Sequence, residues 1–461
     1  MTDLHALTVH DLSRMIAARH LSALEVTDAL ITRCEGPAER VRAFATTTFD
    51  LARDMARAAD AELAAGRRRG PLHGIPVGLK DAYDTAGVPT TVCSRLHADR
   101  VPGDDAEAWR RLRAEGAVLM GKLQCAELCL GAPGDDDFVP YARNPWDPCR
   151  TPGGSSSGAA AALAAGLLPA ALGTDTGGSI RIPAAFCGVA GLKPTDGLVS
   201  LAGVFPLSPS LDQAGPMART SRDCAYLLDA IAARENPQAT ASGFVAGLTE
   251  RLDGLCVGYV GNFAEDGLVA SEQRVATEAA LAILGDLGAQ VREVSLPDPW
   301  DFTICNMTIM MAEAFEFHGA DLRRRAGEIS RVTRARIAAG AFLRAEDCRR
   351  AQRTRRLLMR ATAEAMEEVD VLVYPAALGD PPRIEDIKPL GYLEVPLITT
   401  PANVAGVPAA SVRCGFSAAG MPMAFQVAGR RFGDATVLRV AHAFEAATPE
   451  FDRLAFYTEL R

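Results

Sequence analysis

The sequence predicts a single large α/β domain, and three observations lead to that prediction. Hydrophobic residues make up 48% and charged residues 23% of the 461 positions, which is ordinary for a globular protein with a large core. Strand and helix patterns alternate along the chain, and the order strand 255–260, helix 271–288, strand 290–294 is typical of parallel pairing. The sequence contains no internal repeat, low-complexity tail or clean linker, so we expect 1–461 to fold as one unit.

The N-terminal segment, 1–70, is expected to form helices that pack on the core. Amphipathic patterns predict two short helices at 7–19 and 22–34. The second of these begins with Ser22-Ala-Leu-Glu25, which has the spacing of a capping box. An alanine-rich segment at 46–66 predicts a third, longer helix.

A strand follows this helical segment. Ile75, Val77 and Leu79 alternate with other residues, as expected of a strand, and Lys80 stands at its end. Downstream, up to about residue 220, we expect a helix at 105–116, a strand at 117–120, a helix from about 126, a long loop at 131–150, and strands at 167–172, 188–192 and 197–199. Beyond that point we expect helices at 220–233, 305–317, 341–368 and 435–446, strands at 369–374, 408–412 and 423–428, and a loop at 375–397.

The most informative stretch of the chain contains two Gly-Gly-Ser turns, Gly153–Ser155 and Gly177–Ser179. The run of alanine and leucine at 158–168 between them is almost without polar side chains and predicts a buried helix. A buried helix between two turns can return the second turn to the first. We therefore expect Ser155 and Ser179 to meet in one site.

A serine nucleophile needs a base, which is usually a histidine. The chain has seven histidines, and none has an aspartate at a suggestive position, so a Ser-His-Asp triad is disfavoured. A lysine can serve if it is neutral, and burial lowers the pKa of a lysine, so Lys80 is the candidate base. The glycine-rich turn at 153–158 lacks the lysine of a phosphate-binding P-loop. The backbone amides of Thr176–Ser179 could instead hold an oxyanion.

The motifs together resemble those of the amidase signature family, the Ser-cisSer-Lys amidohydrolases. The resemblance covers nearly the whole chain, and its strongest segments are Gly74–Asp81, Thr151–Gly158, Gly173–Pro183, Gly191–Thr195 and Leu211–Pro216. It implies a large twisted mixed β-sheet of about eleven strands, covered by helices on both sides. In this scheme 74–220 is the signature core, and 221–461 supplies the remaining sheet, helices and substrate-pocket loops.

The resemblance also implies roles for individual residues. Ser179 is the expected nucleophile, Ser155 the bridging serine with a cis peptide bond before it, and Lys80 the base. Further roles fall on four backbone amides of an oxyanion hole (Thr176, Gly177, Gly178 and Ser179) and on four supporting residues (Gly154, Ser156, Asp175 and Arg181). Loops 125–141 and 375–400 shape the acyl pocket in the family, and we expect Cys129, Gly131 and Gln213 to line it.

The expected activity is hydrolysis of the C–N bond of a small linear carboxylic amide through an acyl-enzyme on Ser179. The products are a carboxylate and ammonia or an amine, and the reaction requires no metal or cofactor. Two alternatives remain open. One is the glutaminase (A) subunit of a tRNA-dependent amidotransferase, and the other is a non-catalytic binding protein on the same fold.

Composition sets expectations for partners and location. The net charge of −9 argues against nucleic acid as a main partner, because phosphate binding needs a basic footprint. The 11 cysteines are scattered without a CxxC pair, which favours reduced thiols in the cytoplasm. No signal pattern or membrane-length apolar run occurs. We therefore expect a cytoplasmic protein whose partner is a small amide, with no nucleic acid or membrane, and a homodimer by analogy with the family.

Overall fold

A computed structural model of the chain describes residues 4–130, 132–233, 243–265 and 267–455. The strands of this part are β1 Phe44–Thr47, β2 Pro76–Lys80, β3 Val118–Leu123, β4 Ala170–Asp175, β5 Ala190–Lys193, β6 Gln213–Ala218, β7 Cys256–Val260, β8 Gln290–Val294, β9 Val371–Pro375, β10 Ala409–Phe416 and β11 Pro422–Gly429. They form one sheet in the order β1-β3-β2-β4-β6-β5-β10-β11-β9-β7-β8.

The α-helices of the described residues connect these strands. They are α1 Val9–Ala17, α2 Ala23–Cys34, α3 Phe49–Ala64, α4 Glu107–Ala114, α5 Ser157–Ala164, α6 Arg181–Cys187, α7 Ser221–Ile231, α8 Ser271–Asp286, α9 Pro299–Arg324, α10 Arg331–Gly340, α11 Ala345–Ala365, α12 Thr400–Ala405 and α13 Asp434–Ala447. The capping box that the sequence predicts at Ser22 is present, because Glu25 N donates to Ser22 Oγ and Ser22 N donates to Glu25 Oε2.

The sheet is mixed, as the resemblance implies. β2 is parallel to both β3 and β4, whereas β4 and β6 are antiparallel. At the far side β7 is parallel to β8, with α8 between them in the chain, so the parallel pair predicted from that segment is confirmed. The C-terminal ends of β2 and β4 lie side by side, and this places the residues that follow them in one region.

Helices cover both faces of the sheet. Alternate residues of a strand point to opposite faces, so consecutive residues of β9 enter two different apolar cores. Val371 and Val373 belong to one apolar core, which also contains residues of α1–α5, α7, α8 and α13. Leu372 and Tyr374 belong to a second core, to which α9–α12 contribute. The predicted fold class, a large mixed sheet between helical layers, is therefore confirmed.

Several predicted elements differ in the structure. The segment 46–66 contains the end of β1 before α3, because Phe44–Thr47 pairs with β3 at the edge of the sheet. The helix predicted from about 126 is a single 3₁₀ turn, Glu127–Cys129, in which Leu128 has a φ of 51° that ends helical geometry. The strand predicted at 197–199 is reduced to an isolated bridge between Val199 and Ala232.

Candidate active site

Lys80 is the last residue of β2, and its side chain is fully buried. Its Nζ donates to Ser155 Oγ at 2.7 Å and to Thr174 Oγ1 at 2.6 Å. Thr174 lies on β4, the parallel neighbour of β2, so the sheet itself fixes the distance between Lys80 and Thr174. The predicted base and the predicted bridging serine are thus in direct contact.

The second link joins the two Gly-Gly-Ser turns. Gly154 has a φ of 57°, and a Cβ there would lie 2.6 Å from Pro183 Cδ and 3.2 Å from Ser179 Cα. Ser156 N donates to Ser179 O at 3.2 Å across the same contact. The turns of Ser155 and Ser179 therefore meet as the sequence predicts, at an approach that only glycine permits at position 154.

The expected cis peptide bond before Ser155 is absent. All peptide bonds of the described residues are trans, and the chain reverses direction instead through Gly153 and Gly154, whose φ values are 85° and 57°. Both values lie in the left-handed region, which glycine adopts without steric cost. The expectation of a cis bond was wrong for this structure because two consecutive glycines make the turn.

The helix between the turns is α5, and every one of its residues is buried. Its small alanine side chains allow it to lie inside the molecule, and the predicted buried helix is confirmed. Ser156, at the start of this helix, donates from Oγ to Thr174 O at 3.1 Å and accepts from Thr174 N at 3.2 Å. This predicted supporting residue fastens the Ser155 turn to β4.

The three candidate catalytic side chains differ in exposure. Ser179 is partly exposed, whereas Lys80 and Ser155 are buried behind it. A nucleophile has to reach substrate, while a proton relay works best away from water. The exposed position of Ser179 and the buried positions of Lys80 and Ser155 therefore match the predicted roles of nucleophile and proton relay.

Backbone amides next to Ser179 can stabilise an oxyanion, but one of the four expected donors is already used. Gly178 N donates to Asp175 Oδ1 at 2.8 Å. The amides of Thr176, Gly177 and Ser179 have no protein acceptor among the described residues. We therefore assign Gly178 to the bracing of this loop and leave three amides for the developing negative charge.

Asp175 and Arg181 form the brace beneath the loop. Both side chains are fully buried, and Arg181 Nη2 lies 3.0 Å from Asp175 Oδ1. Burial alone would raise the pKa of Asp175, but the guanidinium of Arg181 and the hydrogen bond from Asn403 Nδ2 outweigh it and hold the pKa below its usual range. Asp175 is ionised at neutral pH and also accepts the amide of Ile180 at 3.1 Å.

The structure describes two of the three predicted pocket residues, Gln213 and Cys129. Gln213 lies on β6 and donates from Nε2 to Asp196 Oδ1 at 3.0 Å, whereas its neighbour Asp212 accepts from Thr176 Oγ1 at 2.6 Å. Asp212, which precedes β6, thus contacts the loop of the nucleophile, whereas Gln213 contacts Asp196. Burial raises the pKa of Asp212. The place of Gln213 in the pocket stays a prediction.

Cys129 is buried in a cluster with two other thiols, Cys93 and Cys125, whose Sγ atoms are 3.7 Å apart. A side-chain contact with Cys125 and burial raise the pKa of the Cys129 thiol well above its usual value. Cys129 thus packs against these thiols, and its place in the pocket stays a prediction. Gly131, the third predicted pocket residue, lies outside the described residues.

Two residues that the sequence did not single out contribute to the site. Thr174 contacts Lys80, and its place on β4, one residue before Asp175, could have indicated this. Asn306, on α9, is fully buried and donates from Nδ2 to Thr176 O at 3.0 Å. No sequence signal points to Asn306, because it lies in an unremarkable helix 130 positions from its partner.

A cavity of about 310 Å³ opens beside the Gly153–Gly154 turn. Arg336 of α10 lies in its wall, buried to 7% exposure, with its guanidinium 4.7 Å from the centre of the Tyr392 ring. Burial lowers the pKa of Arg336 to about 10, which still leaves a cation at neutral pH. The cavity therefore connects the glycines that precede Ser155 to a buried positive charge.

A buried lysine in contact with one serine, with a second serine and unused backbone amides beside it, is the arrangement that the resemblance to the amidase signature hydrolases predicts. The comparison with protein families agrees, since the family described as Amidase matches residues 25–438. The chain belongs to the amidase signature family.

Individual relatives are more specific. The chain is 40% identical to a glutamyl-tRNA(Gln) amidotransferase subunit of Roseiflexus sp. strain RS-1, over 98% of this chain and 99% of the relative. Among solved structures it resembles the peptide amidase of Stenotrophomonas maltophilia, with a TM-score of 0.85 at 31% identity over 98% of both chains. It also resembles the corresponding glutamyl-tRNA(Gln) amidotransferase subunit of Thermotoga maritima, with a TM-score of 0.80 at 31% identity over 97% of this chain and 96% of that one.

These relatives correct one expectation. Partners restricted to a small amide, with nucleic acid excluded, are contradicted by relatives that are named as subunits of an amidotransferase for glutamyl-tRNA(Gln). The physical reason is that a net charge of −9 averages over the whole surface, whereas a nucleic acid can be recognised locally or by another subunit of an assembly. The homodimer expected by analogy stays a prediction.

Metal clusters and membrane spans are both missing from the part of the chain that the structure describes. Within the described ranges, no group of three or more His, Cys, Asp or Glu side chains is arranged to hold a metal ion. Among the same residues, no helix is both long and apolar enough to cross a bilayer.

Proposed function

We propose that the protein hydrolyses the side-chain amide of glutamine, as the glutaminase subunit of a tRNA-dependent amidotransferase. The observation that carries the reaction type is the contact of Lys80 Nζ with Ser155 Oγ at 2.7 Å, behind a partly exposed Ser179. The relatives that share 40% identity over nearly the full length support the choice of substrate and assembly.

The proposed chemistry runs along these contacts. Lys80 Nζ accepts the proton of Ser155 Oγ, and Ser155 accepts that of Ser179 as the Oγ of Ser179 attacks the amide carbonyl. The amides near Ser179 stabilise the oxyanion, and the relay then delivers a proton to the leaving nitrogen. The C–N bond breaks, ammonia leaves, and a glutamyl ester remains on Ser179. Water hydrolyses this ester through the reverse relay.

The cavity beside the serine turns supports an amide that carries a carboxylate. Arg336 places a buried positive charge in its wall, and this charge attracts a carboxylate. Its Nε donates to Pro389 O and its Nη1 to Leu130 O, and these two bonds hold the guanidinium in place. Glutamine has a carboxylate at the end opposite its side-chain amide. A substrate held by Arg336 at one end would present its amide to Ser179 at the other.

A second candidate function is hydrolysis of other primary amides without a partner subunit. It is favoured by the TM-score to the peptide amidase, 0.85, which exceeds the 0.80 to the amidotransferase subunit. The same lysine and serines would perform the same chemistry. The acyl group and the assembly would differ.

Ammonia release from glutamine tests the proposal. We expect wild-type protein, co-expressed with its partner subunits, to release ammonia, and Ser179→Ala and Lys80→Ala to abolish release while remaining folded. Arg336→Met should raise KM for glutamine much more than it lowers kcat, because the cavity loses its cation. Arg334→Met is the matched control, since Arg334 lies on the same helix and donates to Ala326 O.

Other outcomes would contradict the proposal in distinct ways. Near-normal turnover by Ser179→Ala would refute the nucleophile. Hydrolysis of benzamide or a peptide amide, but not of glutamine, would favour the second candidate. Failure of a fluorophosphonate probe to label Ser179 would favour the non-catalytic binding protein.

A further inference from the structure

The helix α11 concentrates positive charge in a chain that is acidic overall. Residues 349–360 contain six arginines and no aspartate or glutamate, whereas the whole chain has a net charge of −9. In the structure these residues form the middle of α11. Cations clustered on one helix face are the electrostatic footprint of a surface that binds a polyanion. The placement of the arginines around α11 therefore decides what this charge can do.

Four of the arginines share one face of α11. They are spaced four, three and four residues apart, and an α-helix brings residues at such spacings to the same side. All four are exposed and form a row about 17 Å long. The opposite side of the helix is buried, so the row points away from the protein. We call this row the arginine stripe, and its members are Arg349, Arg353, Arg356 and Arg360.

The cations of the arginine stripe have few partners in the protein. Within the described ranges, the guanidinium groups of its first three members make no hydrogen bond and no ion pair. Arg360 Nε donates to Glu364 Oε1 at 2.6 Å, but both side chains are largely exposed, and an exposed pair of this kind contributes little. The stripe therefore presents at least three cations whose charge no neighbouring carboxylate neutralises.

The arginine stripe lies on the outside of the helices that support the loop of Ser179. On the inner side of α11, Arg355 Nε donates to Val404 O of α12 at 3.1 Å. The same helix α12 carries Asn403, whose Nδ2 donates to Asp175 Oδ1 at 2.8 Å in the brace beneath that loop. A molecule bound to the stripe would therefore rest on the helical layer that covers the candidate site, and would leave the serines themselves untouched.

We propose that the arginine stripe binds the phosphate backbone of an RNA, and that this RNA is the tRNA on which the proposed assembly acts. The inference deepens the proposed function and rests on it for the identity of the polyanion. A guanidinium donates two parallel hydrogen bonds to a phosphate, and a row of cations complements the regular row of charges along a nucleic acid. Phosphate contacts position a nucleic acid without reading its sequence.

The composition of α11 favours a nucleic acid over other acidic partners. Protein interfaces use aromatic and apolar side chains as anchors, and α11 contains no phenylalanine, tyrosine or tryptophan. Leu357 and Met359 are exposed beside the stripe, but scattered apolar side chains are ordinary on a protein surface. A helix that lies on a membrane inserts its apolar face, whereas that face of α11 is buried against the protein. A phosphate backbone needs neither anchor, because charge supplies the affinity.

The test measures the affinity of the co-expressed assembly for fluorescent tRNA(Gln) by anisotropy, between about 50 and 200 mM KCl. The variant combines Arg349→Gln, Arg353→Gln and Arg356→Gln. We expect it to bind tRNA about tenfold or more weakly, with a slope of log affinity against log salt that is smaller by about two to three, since each lost phosphate contact removes about 0.7–0.9. Ammonia release from glutamine should stay at the wild-type rate.

A second triple variant, Arg57→Gln with Arg110→Gln and Arg274→Gln, is the matched control. It removes the same charge from α3, α4 and α8, which belong to the other apolar core. We expect this variant to keep the wild-type affinity and salt slope. Equal effects of the two triple variants would overturn the inference, because net charge alone would then explain them.

Other outcomes separate the possible partners. If the stripe variant lost its partner subunits, or lost binding to phosphatidylserine vesicles at unchanged tRNA affinity, the inference would be overturned in favour of an acidic protein surface or a membrane. If glutamine released no ammonia while the stripe variant still showed the weaker binding and smaller slope, the proposed function would be refuted and the stripe would stand as an RNA-binding surface.

Discussion

Replacement of Arg181 by methionine should be among the most destabilising single changes in the molecule. The guanidinium contacts Asp175 at 3.0 Å, Thr399 O at 2.7 Å, Gln426 Oε1 at 2.8 Å and Asn403 Oδ1 at 2.6 Å, all of them buried. Methionine fills similar space but leaves a carboxylate and three neutral acceptors without their donor.

The magnitude follows from the charge that remains. Breaking a buried ion pair by removing one partner costs about 3–5 kcal/mol, since the other charge stays desolvated. We therefore expect Arg181→Met to lower the free energy of unfolding by about 4 kcal/mol, the middle of that range. Adding Asp175→Asn to Arg181→Met should recover part of the loss, because the orphaned charge is removed.

The effect should depend on pH in a defined direction. In the wild type the pKa of Asp175 is depressed below 3.8, so the contribution of Asp175 to the free energy of unfolding is fully present between pH 7 and 4. In Arg181→Met, burial dominates and raises the pKa of Asp175. The buried carboxylate then destabilises the fold at neutral pH, and this destabilisation decreases as the carboxylate takes up a proton. The difference in stability between wild type and variant should narrow from pH 7 to pH 4.

Urea unfolding, followed by circular dichroism at pH 7 and pH 4, measures these differences. Arg57→Met is the control, since its pair with Asp54 is largely exposed and should contribute little. A loss below about 1 kcal/mol in Arg181→Met, or a difference that widens at low pH, would refute the reasoning, because such a value is typical of an exposed pair.

Two further changes test the serine turns and a buried histidine. Gly154→Ala should reduce kcat at least a hundredfold, because the new Cβ would lie 2.6 Å from Pro183 Cδ. Gly87→Ala is the control, since Gly87 has a φ of 73° but a Cβ there would have no atom within 4 Å, and this variant should keep wild-type kcat. Equal activity of the two variants would contradict a need for close approach. Burial lowers the pKa of His318 to about 4, so wild-type stability should fall as pH drops from 6.5 to 4 while the unfolded chain takes up a proton. His318→Gln should flatten this slope in urea unfolding at pH 7 and pH 5, and an unchanged slope would disprove the assignment.

The sequence, together with its resemblance to the amidase signature family, predicted the reaction type and much of the fold. The two Gly-Gly-Ser turns, the apolar run between them and Lys80 at a strand end are local patterns, and each has a local cause in backbone freedom, burial or alternation. The alternation of strand and helix patterns likewise indicated the α/β class. Such features can be predicted from the sequence because short segments of the chain determine them.

Other features depended on contacts between distant segments. Residues 46 and 47 fall in the segment 46–66 that is predicted as a helix, yet they belong to β1 and pair with β3, since completing the sheet edge outweighs a weak local preference. Asp212 is not among the residues predicted from the sequence, and only the folded chain shows that this residue accepts a hydrogen bond from Thr176 Oγ1.

The sequence by itself predicted that the turns of Ser155 and Ser179 meet, because glycine turns and a helix of small residues have few ways to fold, and the resemblance to the family added Lys80. Only the tertiary structure decided what surrounds that site. Arg336 and Asn306 come from helices far along the chain, in segments with no distinctive pattern. The contact of Asn306 with Thr176 and the place of Arg336 in the cavity wall depend on how α9 and α10 pack, and long-range packing leaves no mark in local sequence. The lysine and the serines therefore determine the type of bond that is broken, and the helices that cover them determine which substrate binds.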